Sequence, residues 1–245
     1  MILLADITSA FTLLTRLPVS RFGGSPDLGR CVWAFPIVGL AVNGTGALID
    51  WLVRLAHVPA LLAAAWTLAV MLVLTGAFHE DGLADTADGF GGGATRARKL
   101  EIMHDSRIGS YGVVALLLSL MMRTAAIAAL DDARDLILAG MLGRSAMILP
   151  LMTLSPARAE GMGASVGSPP MRNAVAGVGL SILAGYALLP LVMASVVVIS
   201  GFATALVVAT LADRQIGGHT GDVLGATEVA TECVVLTVLA GALGC

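Results

Sequence analysis

Between positions 79 and 93 the chain concentrates four acids and five glycines: His79-Glu80-Asp81-Gly82-Leu83-Ala84-Asp85-Thr86-Ala87-Asp88-Gly89-Phe90-Gly91-Gly92-Gly93. Asp81, Asp85 and Asp88 stand at i, i+4 and i+7. If the apolar run before them continues as helix, that spacing gathers all three carboxylates on one face. Three like charges so placed repel each other, and a hard cation among them removes the repulsion. Oxygen-only ligation selects Mg²⁺ or Mn²⁺ rather than zinc. The competing interpretation is a solvated acidic helix start favoured by the macrodipole. Neighbours that are Ala and Gly rather than Lys argue against it. Gly89, Gly91, Gly92 and Gly93 are expected to end the helix and leave backbone N–H groups free for phosphate oxygens.

Arg96, Arg98 and Lys99 follow, as phosphate ligands or as anchors at a membrane surface, and then Arg107, whose bidentate fork suits phosphate. Two superficial motifs fail on inspection. His79-Glu80 opens like a zinc-protease helix, but position 83 is Leu where the second His is needed. His104-Asp105-Ser106 holds triad residue types, yet sequence neighbours do not face one another. A second polar cluster runs from Asp213 to Asp222 through Gly217, Gly218, His219 and Thr220, with Glu228 and Glu232 beyond it. The last two lie one turn apart in an apolar run, where ionisable groups are costly and usually functional. Arg123 and Arg144 are stranded in other apolar runs, either paired with such acids or binding phosphate. Together these residues describe a phosphate-bearing substrate, one or two divalent cations and a site at a membrane surface.

The elements that position them follow from composition. Of 245 residues 57% are hydrophobic and 13% charged, with a mean hydropathy of +0.91. A soluble domain of this size cannot hide that much apolar surface. Few aromatics and 29 glycines suit close-packed helices rather than a girdled barrel. The net charge of −3 and the absence of a basic tract give no reason to expect a nucleic-acid partner. Cys31, Cys233 and Cys245 lack metal-site spacing and read as packing residues. Apolar runs near 32–53, 60–78, 111–130, 136–154, 173–193, 195–212 and 223–244 predict an all-α polytopic transmembrane bundle of six or seven spans, one integral membrane domain over 1–245. The first 17 residues lack a basic start and carry Asp6, which predicts an interfacial or re-entrant helix rather than a signal. Gly177, Ser181 and Gly185 read as a helix-packing stripe.

With the N-terminus inside, the inner segments hold Arg16, Arg21, Arg30, Arg96, Arg98, Lys99, Arg107, Arg158, Arg172 and Arg214, and the outer ones only Arg54 and Arg134. This bias puts loops 79–110 and 213–222 on the cytoplasmic face.

The chain resembles the cobalamin synthase (adenosylcobinamide-GDP ribazoletransferase) family over nearly its whole length. The likeness lies in Thr15-Arg16-Leu17-Pro18, in Phe35-Pro36-Ile37-Val38-Gly39 and in the run from Gly76 to Gly89. It continues in Leu100-Glu101-Ile102-Met103-His104-Asp105-Ser106-Arg107 and in the run from Gly217 to Ala226. The resemblance implies a Mg²⁺-dependent transferase of the bacterial inner membrane. Its reaction would join adenosylcobinamide-GDP to α-ribazole or its 5′-phosphate and release GMP. It also implies roles. Asp81, Asp85 and Asp88 would hold Mg²⁺ on the diphosphate, while Arg107, Arg144 and Arg16 neutralise phosphate oxygens. Asp88 or Glu80 would take the hydroxyl proton, with Asp85 also catalytic. Asp222 would orient ribazole or a second metal, and Asp105, His219 and Thr220 would bind substrate. A homo-oligomer or a corrinoid-assembly complex is compatible with the family, but no residue specifies one. A CDP-alcohol phosphotransferase is the first rival, but positions 92 and 96, Gly and Arg, lack its continuing acids. An ion-coupled transporter would place its polar mass at the midplane, often in repeated halves; here that mass sits in one-sided loops.

Overall fold

The structure, a computed structural model, describes residues 2–19 and 28–243. Arg21 and Cys245 therefore lie outside the described residues. Every element among them is helical. Helix α1 (Ile2–Leu14) precedes a short 3₁₀ turn (Arg30–Ala34) that runs into α2 (Phe35–Leu55). There follow α3 (Ala60–Thr75), α4 (Phe78–Gly92), α5 (Arg96–Ile102), α6 (Ser110–Ala129), α7 (Ala133–Ala146) and α8 (Ile148–Thr153). The short α9 (Met162–Val166) leads to three long helices, α10 (Met171–Leu188), α11 (Leu191–Ile216) and α12 (Gly221–Leu243).

Six stretches are long and apolar enough to cross a bilayer: Arg30–Leu55, Ser110–Ala129, Ala133–Thr153, Met171–Leu188, Leu191–Ile216 and Gly221–Ala242. They fall on six of the seven expected spans, and the protein is a multi-pass membrane protein. The seventh, expected at 60–78, is broken: α3 and α4 meet at 89°. The break lies at Gly76 (φ 68°) and Ala77 (φ 54°), both left-handed. Gly76 permits that turn, and its missing side chain admits Arg16, whose Nε would lie 2.5 Å from a Cβ there. Helix α1, at 13 residues, is too short to span. It is tied to the 3₁₀ turn by Asp6, which accepts from Arg30 Nε at 2.8 Å and Trp33 Nε1 at 3.2 Å.

Helices α7 and α12 form the interior, with 78% and 72% of their spans buried, whereas α6, α10 and α11 turn most of their surface outward, as lipid-facing helices must. Close approach rests on small residues. At the crossing of α2 and α7 a Cβ on Gly39 would overlap the Gly140 backbone, and one on Gly140 would overlap Asn43. The expected stripe on α10 packs as foreseen: Ser181 Oγ lies 2.8 Å from Ser145 Oγ, and Gly177 abuts Ile148 and Val32. Cys31 and Cys233 are buried, each thiol directed at a carbonyl.

The stranded charges of the spans find each other. Arg123 bridges Glu80 (2.8 Å) and Glu232 (3.1 Å), and Arg144 pairs with Glu228 (3.0 Å). Asn43 joins the halves, donating to Glu232 Oε1 at 2.5 Å and accepting from Arg144 at 3.1 Å. His79 Nδ1 lies 3.4 Å from Glu228. This buried network clasps α2, α4, α6, α7 and α12.

Candidate active site

Helix α4 crosses α12 at its first turn. A Cβ on Gly82 would meet the Asp222 carbonyl at 2.8 Å, so the glycine lets the backbones touch and brings Asp81 and Asp85 beside Asp222. These three acids line a chamber of about 660 Å³, walled further by Arg16, Phe78, Glu80, His104, Asp105, Ser106, Ile108, Leu116 and Arg158. A smaller chamber of about 140 Å³ adjoins it, lined by Glu160, Gly163, His219 and Thr220 and sharing Phe78, Asp81, Arg158 and Asp222 with the first. Asp85 lies in the field of Asp81, Asp222 and Asp88, with Arg158 the opposing charge.

The loop that carries His219 is built by pairing. Pro156 and His219 form a parallel bridge; Ala157 N–H donates to the His219 carbonyl at 2.8 Å, and His219 N–H to that of Ser155 at 3.0 Å. This pairing brings Arg158 to the chamber. Its Nη2 donates to the Leu100 carbonyl at 2.7 Å, and its Nη1 lies 4.0 Å from Asp222. His219 is 2% exposed, its Nδ1 has no partner, and burial holds its pKa below the ordinary value. Thr220 donates to Asp222 at 3.1 Å and receives Val223 N–H, capping α12.

Of the expected site residues, Arg16, Asp81, Asp85, Asp105, His219, Thr220 and Asp222 come together around the two chambers. Four others are corrected. Asp88 is not turned to the chamber as metal ligand or base: its carboxylate accepts N–H from Gly109 (2.7 Å) and Gly112 (2.9 Å) and anchors the start of α6. Glu80 touches the larger chamber, but one of its oxygens, Oε1, is paired with Arg123 at 2.8 Å. Arg144 is buried with Glu228 and Asn43 and lines neither chamber. Arg107 extends outward, its side chain 87% exposed, and grips Asp105 at 2.6 Å. That grip pulls the Asp105 carboxyl down to about 2.

The glycine run ends α4 as expected, at Gly92 with Gly93 as its cap, but Gly89, Gly91 and Gly92 themselves lie within the helix rather than in a free loop. Gly89 makes room for Met103 and Gly91 for Tyr111. Of the basic trio, Arg96 donates to the Ala157 carbonyl at 3.3 Å, Arg98 pairs with Glu101 at 2.8 Å, and Lys99 binds Gln215. Arg158 and Glu160 were missed as site residues; in the sequence Arg158 is one basic residue among ten on the inner side, and only the pairing with His219 reveals its place.

Among the described residues no three carboxylate, imidazole or thiol groups close into a ready-made metal cage. Asp81, Asp85 and Asp222 nonetheless supply an oxygen-only set on one chamber wall. That donor chemistry fits a hard divalent ion, which takes one or two carboxylates and completes its shell with water and substrate phosphate.

Fold and site define a polytopic α-helical membrane protein with an acidic, arginine-bearing chamber at one end of its bundle. The profile of a family described as cobalamin-5-phosphate synthase matches residues 6–240. The chain is 43% identical to an adenosylcobinamide-GDP ribazoletransferase of Bradyrhizobium diazoefficiens over 97% of its length and 94% of the relative's. It is 42% identical to the protein of that name from Azorhizobium caulinodans, over 96% and 94%. With the one from Sinorhizobium medicae it shares 40%, over 96% and 95%. No solved structure matches the chain. The chain belongs to the cobalamin-5-phosphate synthase family and is a transferase of cobalamin biosynthesis. The phospholipid-forming and transporter readings are not favoured.

Proposed function

We propose that the chain joins adenosylcobinamide-GDP to α-ribazole or its 5′-phosphate, giving adenosylcobalamin or its 5′-phosphate and releasing GMP. The observation that carries this reading is the convergence of Asp81, Asp85 and Asp222 with Arg16 and Arg158 on one chamber of about 660 Å³, within the usual size range of ligand sites.

Transfer of this kind asks mainly for alignment and charge neutralisation. Arg16 and Arg158 bind non-bridging phosphate oxygens of the donor. Phe78, Ile108 and Leu116 form an apolar wall that limits water beside the reacting phosphorus. One or two of the carboxylates Asp81, Asp85 and Asp222 would hold Mg²⁺, with Mn²⁺ as substitute, and the ion would supply charge neutralisation at the diphosphate. A carboxylate of the same wall left free of the ion receives the hydroxyl proton of the ribazole. We further propose that this end of the bundle faces the cytoplasm of a bacterial inner membrane, on the strength of the ten inner basic residues.

Asp85→Ala tests the reading. Purified variant that remains folded should lose turnover by about 100-fold or more, and turnover near that of the parent chain would remove the chamber from the reaction.

A further inference from the structure

The two chambers differ in more than size. The larger, at about 660 Å³, carries a second guanidinium besides Arg158, that of Arg16. The smaller, at about 140 Å³, has no cationic side chain on its own part of the wall. What it offers there is the Glu160 carboxylate, the His219 ring, whose buried Nδ1 lacks a partner, and the one lone pair of the Thr220 hydroxyl left after its bonds to Asp222 and Val223. A chamber of that volume is below the range that holds a whole drug-sized ligand, so it suits one fragment of a substrate. A carboxylate, a hydroxyl and an unsatisfied imidazole nitrogen recognise sugar hydroxyls, whereas a phosphate would meet the repulsion of Glu160. An unpaired buried polar atom is costly until something bonds to it.

Arg158 stands in the wall the chambers share, with Asp81 and Asp222. One nitrogen is fixed by the Leu100 carbonyl at 2.7 Å; Nη1, at 4.0 Å from Asp222, is beyond hydrogen-bond reach of that acid. The fork is thus held in place, with Nη1 directed into the junction. The loop behind it is fastened by the Pro156–His219 bridge, so the groups of the smaller chamber and Arg158 are set by one piece of backbone.

Building on the proposed reaction, we infer that the chambers divide the substrates: the larger takes the diphosphate end of the donor, the smaller takes the sugar hydroxyls of the acceptor, and Arg158 at their junction holds the phosphoryl group in transit. The attacking hydroxyl oxygen forms its bond to the phosphorus next to the cobinamide. The bridging oxygen–phosphorus bond to the guanylate breaks, and GMP leaves with the electron pair. The hydroxyl proton goes to a carboxylate of the larger chamber left free of the ion and from there to solvent.

The test is steady-state kinetics on the purified full chain, with adenosylcobinamide-GDP and α-ribazole varied separately. Glu160→Gln and His219→Gln should each raise KM for α-ribazole by about 10-fold, the worth of one hydrogen bond to a charged or buried group. KM for the donor should stay within about 2-fold. Arg16→Gln should show the reverse pattern. Arg158→Ala should lower kcat by about 100-fold, with partial recovery in Arg158→Lys and on adding guanidinium ion to the Ala variant. A merely structural Arg158 would not respond to added guanidinium. Glu160 is exposed, so its substitution leaves folding intact and keeps the test open if the buried His219 variant is unstable. Equal effects of Glu160→Gln on both KM values, or none on either, would overturn the division. So would an Arg158→Ala enzyme of normal kcat. An inactive parent chain would instead sink the proposed reaction itself.

Discussion

Replacing Arg123 by Leu removes the cation that two buried carboxylates share. Arg123 is 2% exposed and holds Glu80 at 2.8 Å and Glu232 at 3.1 Å. The network sets three glutamates and a histidine against two arginines, and the substitution removes one of its two guanidinium groups. Stranding a buried charge by deleting its partner costs about 3–5 kcal/mol. At about 2–4 °C per kcal/mol for a chain of this size, unfolding should fall by roughly 6–20 °C. The assay is thermal unfolding of the detergent-solubilised protein, followed by near-ultraviolet circular dichroism. Adding Glu232→Leu to the variant should recover part of the loss, because one stranded carboxylate is then gone while Asn43 keeps its bond to the Leu136 carbonyl at 3.1 Å. An Arg123→Leu protein that unfolds within about 2 °C of the parent would refute the claim that this network holds the helices together.

Three further outcomes follow from the same geometry. Asp88→Ala removes the acceptor at the start of α6 and should destabilise by about 1–2 kcal/mol, yet turnover per folded molecule should fall far less than in Asp85→Ala; equal losses would return Asp88 to the chemistry. Gly140→Ala drives a methyl into Asn43 at the α2–α7 crossing, and should yield little folded protein on size-exclusion chromatography, while Gly179→Ala, with nothing near its Cβ, should be silent. His219 titrates below its ordinary value of 6.5 when folded, so below pH 6.5 the unfolded chain binds the extra proton and stability falls as pH falls. His219→Phe should flatten that fall between pH 6.5 and the depressed folded value in pH-dependent unfolding, and an unchanged profile would show that His219 does not titrate on unfolding.

Much of this was legible in the residues. Apolar runs located the spans because a bilayer sets a length that the sequence must meet. The carboxylates Asp81 and Asp85 and the loop from Gly217 to Asp222 stood out by type and spacing. What spacing could not reveal was direction. Asp88 shares a helical face with Asp81 and Asp85 by periodicity, but two backbone N–H groups at the start of α6 claim its oxygens. Arg144 and Arg123 were known to need a partner, and only tertiary packing chose glutamates over phosphate. The break at Gly76-Ala77 lay inside an apolar run whose composition shows no interruption. Arg158 required a contact between segments more than 60 positions apart, which no local pattern encodes.

The most direct measurement is product analysis on the purified chain in liposomes, supplied with adenosylcobinamide-GDP, α-ribazole and Mg²⁺. The account predicts GMP and a completed corrinoid in equal amounts, both abolished by Asp85→Ala. Folded protein that releases GMP without a completed corrinoid, or yields neither, would contradict it.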